Sequence, residues 1–323
     1  MGPLSQTGMK TFMVLLSIVM VFVQIWLGHV PTWMLVSNWL LAGAASYILW
    51  DCVDRYRLGR VVMRGSVIVP WIMMASMANF CCVCFSDRFL AVENYLALIC
   101  FLFMIRVSMS IWQKDDAVQS LVWEGLMIGA MSAFFPGMLL WLSIVPLQII
   151  FMRCATRKNL LVVISGMLLG IWCSFCYFFF WGGEGSLLEM ADRYRSLLVV
   201  EWDPNLVSLW QWVSVGVVLF LTIFYCIVTV MLNVSNTIRA QSINHLLCIC
   251  QIMVLLFTLL DMAHLPVYML LQTMLLGLHL IVILANSRGY LSEWWTLSLI
   301  LFYMALSVGP YLPSQWWEML YIF

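Results

Sequence analysis

Apolar runs of about twenty residues follow one another along the chain with only short polar joints between them, and a run of that length crosses a hydrocarbon layer of about 30 Å as a helix. No soluble core could hide so much apolar surface. Of 323 residues, 64% are hydrophobic and 9% charged, where a soluble domain carries about a quarter charged residues. The fold class this implies is all-α, a polytopic transmembrane bundle. Eleven spans are predicted, at 10–28, 32–51, 66–86, 93–112, 118–134, 136–153, 159–181, 204–232, 241–260, 264–285 and 292–309. The first run is read as a span and not a cleaved signal, because no small-residue cleavage site precedes the next run at Thr32.

Lysine and arginine are retained on the cytoplasmic side of a bilayer, so their positions orient the spans. With the N-terminus inside, Lys10, Arg55, Arg57, Arg60, Arg64, Lys114, Arg153, Arg157, Lys158, Arg239 and Arg288 fall inside. Only Arg88, Arg193 and Arg195 fall outside, where acids such as Asp87, Glu93, Glu189, Asp192 and Asp261 collect instead. The expected topology is N-in and C-out, in a single membrane domain over residues 1–323. One loop is long, residues 182–205. It carries Ser186 three residues before Glu189, a capping-box spacing, and then Leu187, Ala191, Tyr194 and Leu198 on one helical face. An amphipathic helix over 187–200 lying on the outer interface is predicted, with Trp202 as its anchor.

Arg106 and Glu124 stand inside apolar runs. Arg106 lies six residues before Trp112 and Glu124 about six residues into the next span, so both are about 9 Å from the cytoplasmic end at 1.5 Å per residue. A lone charge at such depth costs about 2.5–3.5 kcal/mol. Mutual pairing would explain both, and a contact between them is the expectation, either structural or lining a substrate or ion cavity. His279, at similar depth, could join them as an intramembrane polar cluster. Gly125, Gly129, Ser132 and Ala133 give the same run a small-residue stripe that lets helices approach closely. FFPG at residues 134–137 then turns the chain back as a helical hairpin.

On the outer side, DMAHLP sets Asp261 and His264 three residues apart at a tight turn, a pairing suited to acid–base chemistry. Asp87 and Glu93 flank the outer end of span four and are the catalytic candidates. The eleven cysteines fall nearly all in apolar runs, where Cys behaves as a small hydrophobe. The CxxC spacings at Cys81 and Cys84, and at Cys173 and Cys176, lack the second polar cluster of a zinc or redox site. No cofactor and no metal set is read. Walker, HExxH and nucleophile-elbow motifs are missing, and no basic patch interleaved with aromatics points to nucleic acid.

The succession DRFLAVENYLALICFLFMIR, WEGLMIGAMSAFFPGMLLWLSIVPLQIIFMR and ATRKNLLVVISGMLLGIW, over roughly residues 86–181, resembles a set of uncharacterised multi-span inner-membrane proteins of Bacteroidota. More distantly it is similar to the GT-C class of polyprenyl-sugar-dependent glycosyltransferases, in which a Gly-rich short hairpin follows a span with an acidic outer end. That class carries an essential acid in its first outer loop. Here that loop is HVP, without an acid, which leaves Asp87 or Glu93 as the substitutes.

These readings lead to an expected bacterial inner-membrane protein serving the cell envelope, handling a polyprenyl-linked or other amphiphilic substrate, with the bilayer and other membrane proteins as its partners. Two alternatives stand beside it. One is a secondary transporter using Arg106, Glu124 and His279, and the other a non-catalytic scaffold subunit.

Overall fold

The computed structural model describes residues 32–56, 91–114, 116–196, 207–233, 237–262 and 264–286, with scattered positions from 15 to 26, at 75, from 81 to 85 and from 298 to 302. All regular structure among the described residues is helical. In chain order the helices are α1 Thr32–Arg55, α2 Ala91–Ser110, α3 Val118–Ser132, a 3₁₀ helix Pro136–Ser143, α4 Val145–Phe151 and α5 Arg157–Tyr177. A π turn, Phe178–Gly182, leads into α6 Gly183–Ser196, followed by α7 Leu209–Asn233, α8 Ile238–Leu260 and α9 Leu265–Asn286. Among the described residues, three stretches are long and apolar enough to cross a membrane: Arg157–Gly182, Leu209–Leu232 and Ile238–Leu260. The predicted runs at 10–28, 66–86 and 292–309 lie almost wholly outside the described residues.

The centre of the bundle is α9. Every residue from 265 to 280 is buried, as expected for a helix apolar all round, and α1, α2, α7 and α8 pack around it. Two of its polar side chains find partners on α7 at a fixed interval. Gln272 Nε2 donates to Thr222 Oγ1 at 2.8 Å, and His279 Nδ1 lies 3.1 Å from Thr229 Oγ1. Both pairs recur seven residues on, two helical turns, so α7 and α9 run parallel in register.

Residues 113–152 form the predicted hairpin, but its arms differ. The outgoing arm is α3. The return arm is not the single span expected over 136–153: it is an overwound 3₁₀ helix followed by the two turns of α4. Pro136 and Pro146 sit in the first turns of these two pieces, where the missing amide costs least. The base is closed by a hydrogen bond from Gln113 N to Met152 O at 2.9 Å, and left-handed residues, Gln113 (φ 53°) and Arg153 (φ 55°), mark it on either side. Thr156 then caps α5 by accepting from the Asn159 amide.

Lateral packing is closest between α3 and α5. A Cβ placed on Gly125 would fall on the Val163 carbonyl oxygen, and one on Gly129 on that of Met167. Conversely, Gly166 and Gly170 lie against the carbonyls of Val122 and Leu126. Two GxxxG stripes therefore interlock in parallel, each supplying the gaps the other's backbone fills.

The helix ends sort into two faces. At one, the basic end, the Arg239 guanidinium lies 4.7 Å over the Tyr56 ring and donates to Met109 O at 3.2 Å. Arg153 lies 5.5 Å over Trp112, and Lys158 pairs with Asp116 at 3.0 Å. These contacts gather the C-terminal ends of α1, α2 and α4 with the N-terminal ends of α3, α5 and α8. The hairpin tip lies at the opposite end.

Candidate functional site

Asp261 ends α8 and His264 precedes α9, so the tight turn between those helices places both beside the bundle's central helix. His264 Nδ1 lies 3.0 Å from Asp261 Oδ2 and 3.1 Å from Oδ1, and Tyr268 OH donates to Oδ2 at 3.1 Å. The carboxylate accepts, so Nδ1 is the protonated nitrogen, and Nε2 is left as the acceptor, with no hydrogen-bond partner among the described residues. A base oriented by an acid in this way is built for proton transfer.

Burial raises the Asp261 pKa, but the hydrogen bonds and charge of His264, with Tyr268, outweigh it and hold the carboxyl below its ordinary value of 3.8. A depressed folded-state pKa contributes stability above the unfolded value and loses it as pH falls through the folded one. Thermal unfolding in detergent should therefore show a stability loss below pH 3.8 that Asp261→Asn removes. An unchanged acid limb in that variant would mean the pair does not hold the turn.

The hairpin tip packs onto this turn. Phe135 meets the His264 ring edge-on at 5.1 Å and the Tyr268 ring at 5.5 Å. Helix α6 reaches the same tip from the other side. Ser132 Oγ and Tyr194 OH share a hydrogen bond of 2.7 Å, and Arg193 donates to the Phe134 carbonyl at 3.3 Å and to Glu189 at 2.8 Å. Burial pushes the Tyr194 phenol pKa up, against the lowering effect of the Ser132 bond.

This arrangement requires α6 to fold back along α5, and the π turn at Phe178–Gly182 followed by Gly183 is where helices bend sharply. The fold-back corrects the expected cap. The helix begins at Gly183, continuous with the π turn, so Ser186 lies within it and no free first amides remain to be capped. The face applied to the protein also differs from the one read: Met190 is buried and Leu187 and Tyr194 are half-buried, whereas Ala191 is exposed. Leu198 and Trp202 lie outside the described residues. Met190 closes a groove of about 600 Å³ against Leu168, Leu169, Trp172 and Phe175 of α5.

The remaining sequence candidates do not assemble. Arg106 and Glu124 are not in contact. Arg106 belongs to the Ile99, Phe103, Arg106, Ser110 stripe, the least buried face of α2, and lines an apolar crevice of about 170 Å³ against α1. Glu124 belongs to the buried stripe of α3 and is fully inaccessible; its Oε2 accepts from Gln148 Nε2 of α4 at 2.8 Å. Equal depth on neighbouring helices does not imply facing sides. His279 joins neither, being held by Thr229. Asp87 lies outside the described residues, and Glu93 stands in the first turn of α2. The sequence reading missed Gln148, Tyr268, Met190 and the second glycine stripe. Of these only Gly166 and Gly170 carried a legible signal, their GxxxG spacing.

Compared with family models, curated proteins and solved structures, the chain matches none.

Proposed function

We propose that this chain is an inner-membrane protein of the bacterial envelope, with N-in and C-out topology and about eleven spans, that handles a lipid-linked amphiphile where α6, the hairpin tip and the Asp261 and His264 turn meet. One observation carries this reading. Helix α6 presents Met190, which walls an apolar groove open along α5, and three residues later Arg193, beside the polar tip. A helix places such residues about 5–6 Å apart on one face.

An acyl or polyprenyl tail entering from the bilayer would lie along Leu168, Trp172 and Phe175, which are exposed on a membrane-crossing stretch. Its phosphate would meet Arg193, a planar donor suited to such groups. His264 would then serve as the base, with Asp261 fixing its tautomer. A secondary transporter would instead rely on Arg106, Glu124 and His279, which face three different surroundings.

Photolabelling in liposomes with a diazirine-bearing polyprenyl phosphate tests the proposal. Label is expected on α5 and α6 around Trp172 and Met190, in excess over Phe220, Phe224 and Ile227, which are about as exposed on α7 as Leu168, Trp172 and Phe175 are on α5. Arg193→Ala should lower capture at least about tenfold, since a charge-assisted hydrogen bond contributes about 1.5–3 kcal/mol, and Arg193→Lys should recover part of it. Equal labelling of the two surfaces, or full capture by Arg193→Ala, would refute the reading.

A further inference from the structure

Away from the outer site, α7, α8 and α9 bring three metal-ligating side chains together nearer the basic end. The two Sγ atoms of Cys226 and Cys248 and a ring nitrogen of His279 all lie within 4.8 Å of one another. His279 is completely inaccessible; Thr229 holds its Nδ1, while among the described residues Nε2 is buried with no nitrogen or oxygen partner, and the ring faces the Cys226 thiol. A thiol is a weak partner, so a buried imidazole nitrogen in that position needs a reason. Both thiols are free, and Cys248 Sγ lies 3.9 Å from the Cys226 carbonyl.

We propose that Cys226, Cys248 and His279 bind a zinc ion. The donor set is one that zinc accepts, with sulfur and imidazole ligands and three protein groups leaving a fourth position open. No fourth Cys, His, Asp or Glu joins the group among the described residues. Thr229 occupies the outer position that ligating histidines ordinarily fill, since a hydroxyl accepting from Nδ1–H turns the Nε2 lone pair to the ion.

Charge decides between zinc and copper(I), the other cation such ligands favour. On binding, each thiol gives its proton to solvent. Two thiolates and a neutral imidazole then bring Zn²⁺ to zero net charge, whereas copper(I) would leave a buried negative charge, which a low-dielectric interior penalises. The site is independent of the outer groove.

The test uses the full chain in detergent with a thiol reductant, in a background carrying Cys173→Ser and Cys176→Ser to remove the more accessible pair on α5. After zinc loading and dialysis against a weak chelator, one zinc per chain is expected by mass spectrometry, with a raised melting temperature. Cobalt substitution should give thiolate charge-transfer bands of a tetrahedral site. The Cys226→Ser, Cys248→Ser double variant should lose the stoichiometric zinc and the bands. Thr229→Val, which keeps every ligand, should bind roughly tenfold more weakly with the bands retained, as loss of an outer-shell partner typically costs 10–100-fold. The proposal is overturned if the reduced parent chain holds no zinc, if the double variant holds as much as its parent, or if copper(I) alone is retained.

Discussion

Gly129→Leu should abolish accumulation of the folded protein, and Gly129→Ala should already lower its detergent melting temperature sharply. At this position there is no side-chain space to rearrange. The atom facing the glycine is the Met167 carbonyl oxygen, with the Ile171 amide next to it, so any Cβ must push two helix backbones apart. Separation undoes four close approaches together, because Gly125, Gly166 and Gly170 share the crossing. Overpacking of ordinary cores costs about 1–3 kcal/mol; here the strained groups are backbone, and roughly 3 kcal/mol is the expected lower bound for leucine. The control is Gly216→Ala on α7, where nothing lies within 4 Å of the added methyl. That change should be neutral or stabilising by up to about 1 kcal/mol through helix propensity. Equal tolerance at the two sites would show that α3 and α5 are not in contact through their glycines.

The second large effect concerns Glu124. Gln148→Leu should destabilise the protein by about 1–3 kcal/mol, the cost of leaving a buried polar group without its partner, because among the described residues Gln148 Nε2 is the only donor on the Glu124 carboxyl group. The double change to leucine at 124 and 148 should recover most of the loss, since removing both partners leaves nothing stranded. Arg106→Leu should stay within about 0.5 kcal/mol, as surface changes usually do, and should add to Glu124→Leu without coupling. Chemical unfolding in mixed detergent would measure the set. Strong coupling between positions 106 and 124, with none between 124 and 148, would reverse the assignment.

The Arg106 and Glu124 comparison shows what was legible and what was not. Helix existence, ends and depth are counts along the chain, so α2, α5, α7, α8 and α9 lie where the apolar runs put them. The azimuth of a residue matters only relative to a partner helix. In α2 the apolar residues surround the helix almost uniformly, so nothing in the sequence marks the Arg106 side as the open one. The Asp261 and His264 pair was legible because its two members lie on one turn. Cys226, Cys248 and His279 come from three helices, each cysteine indistinguishable in sequence from a small apolar residue, and only the packing of α7, α8 and α9 unites them. Helix α6 was found from its amphipathic spacing, yet the sharp bend that folds it back depends on a π turn whose FFFWG sequence reads as ordinary span.

The hydrogen bond between Gln113 and Met152 has a topological consequence. A segment whose entry and exit are joined crosses any plane above its base an even number of times, however deeply it reaches. Its contribution to sidedness therefore has fixed parity, and the orientation of α5 and everything after it does not depend on how far residues 113–152 have inserted. During synthesis this makes the hairpin a detour that can settle late, against an α5 already threaded, without inverting the rest of the chain.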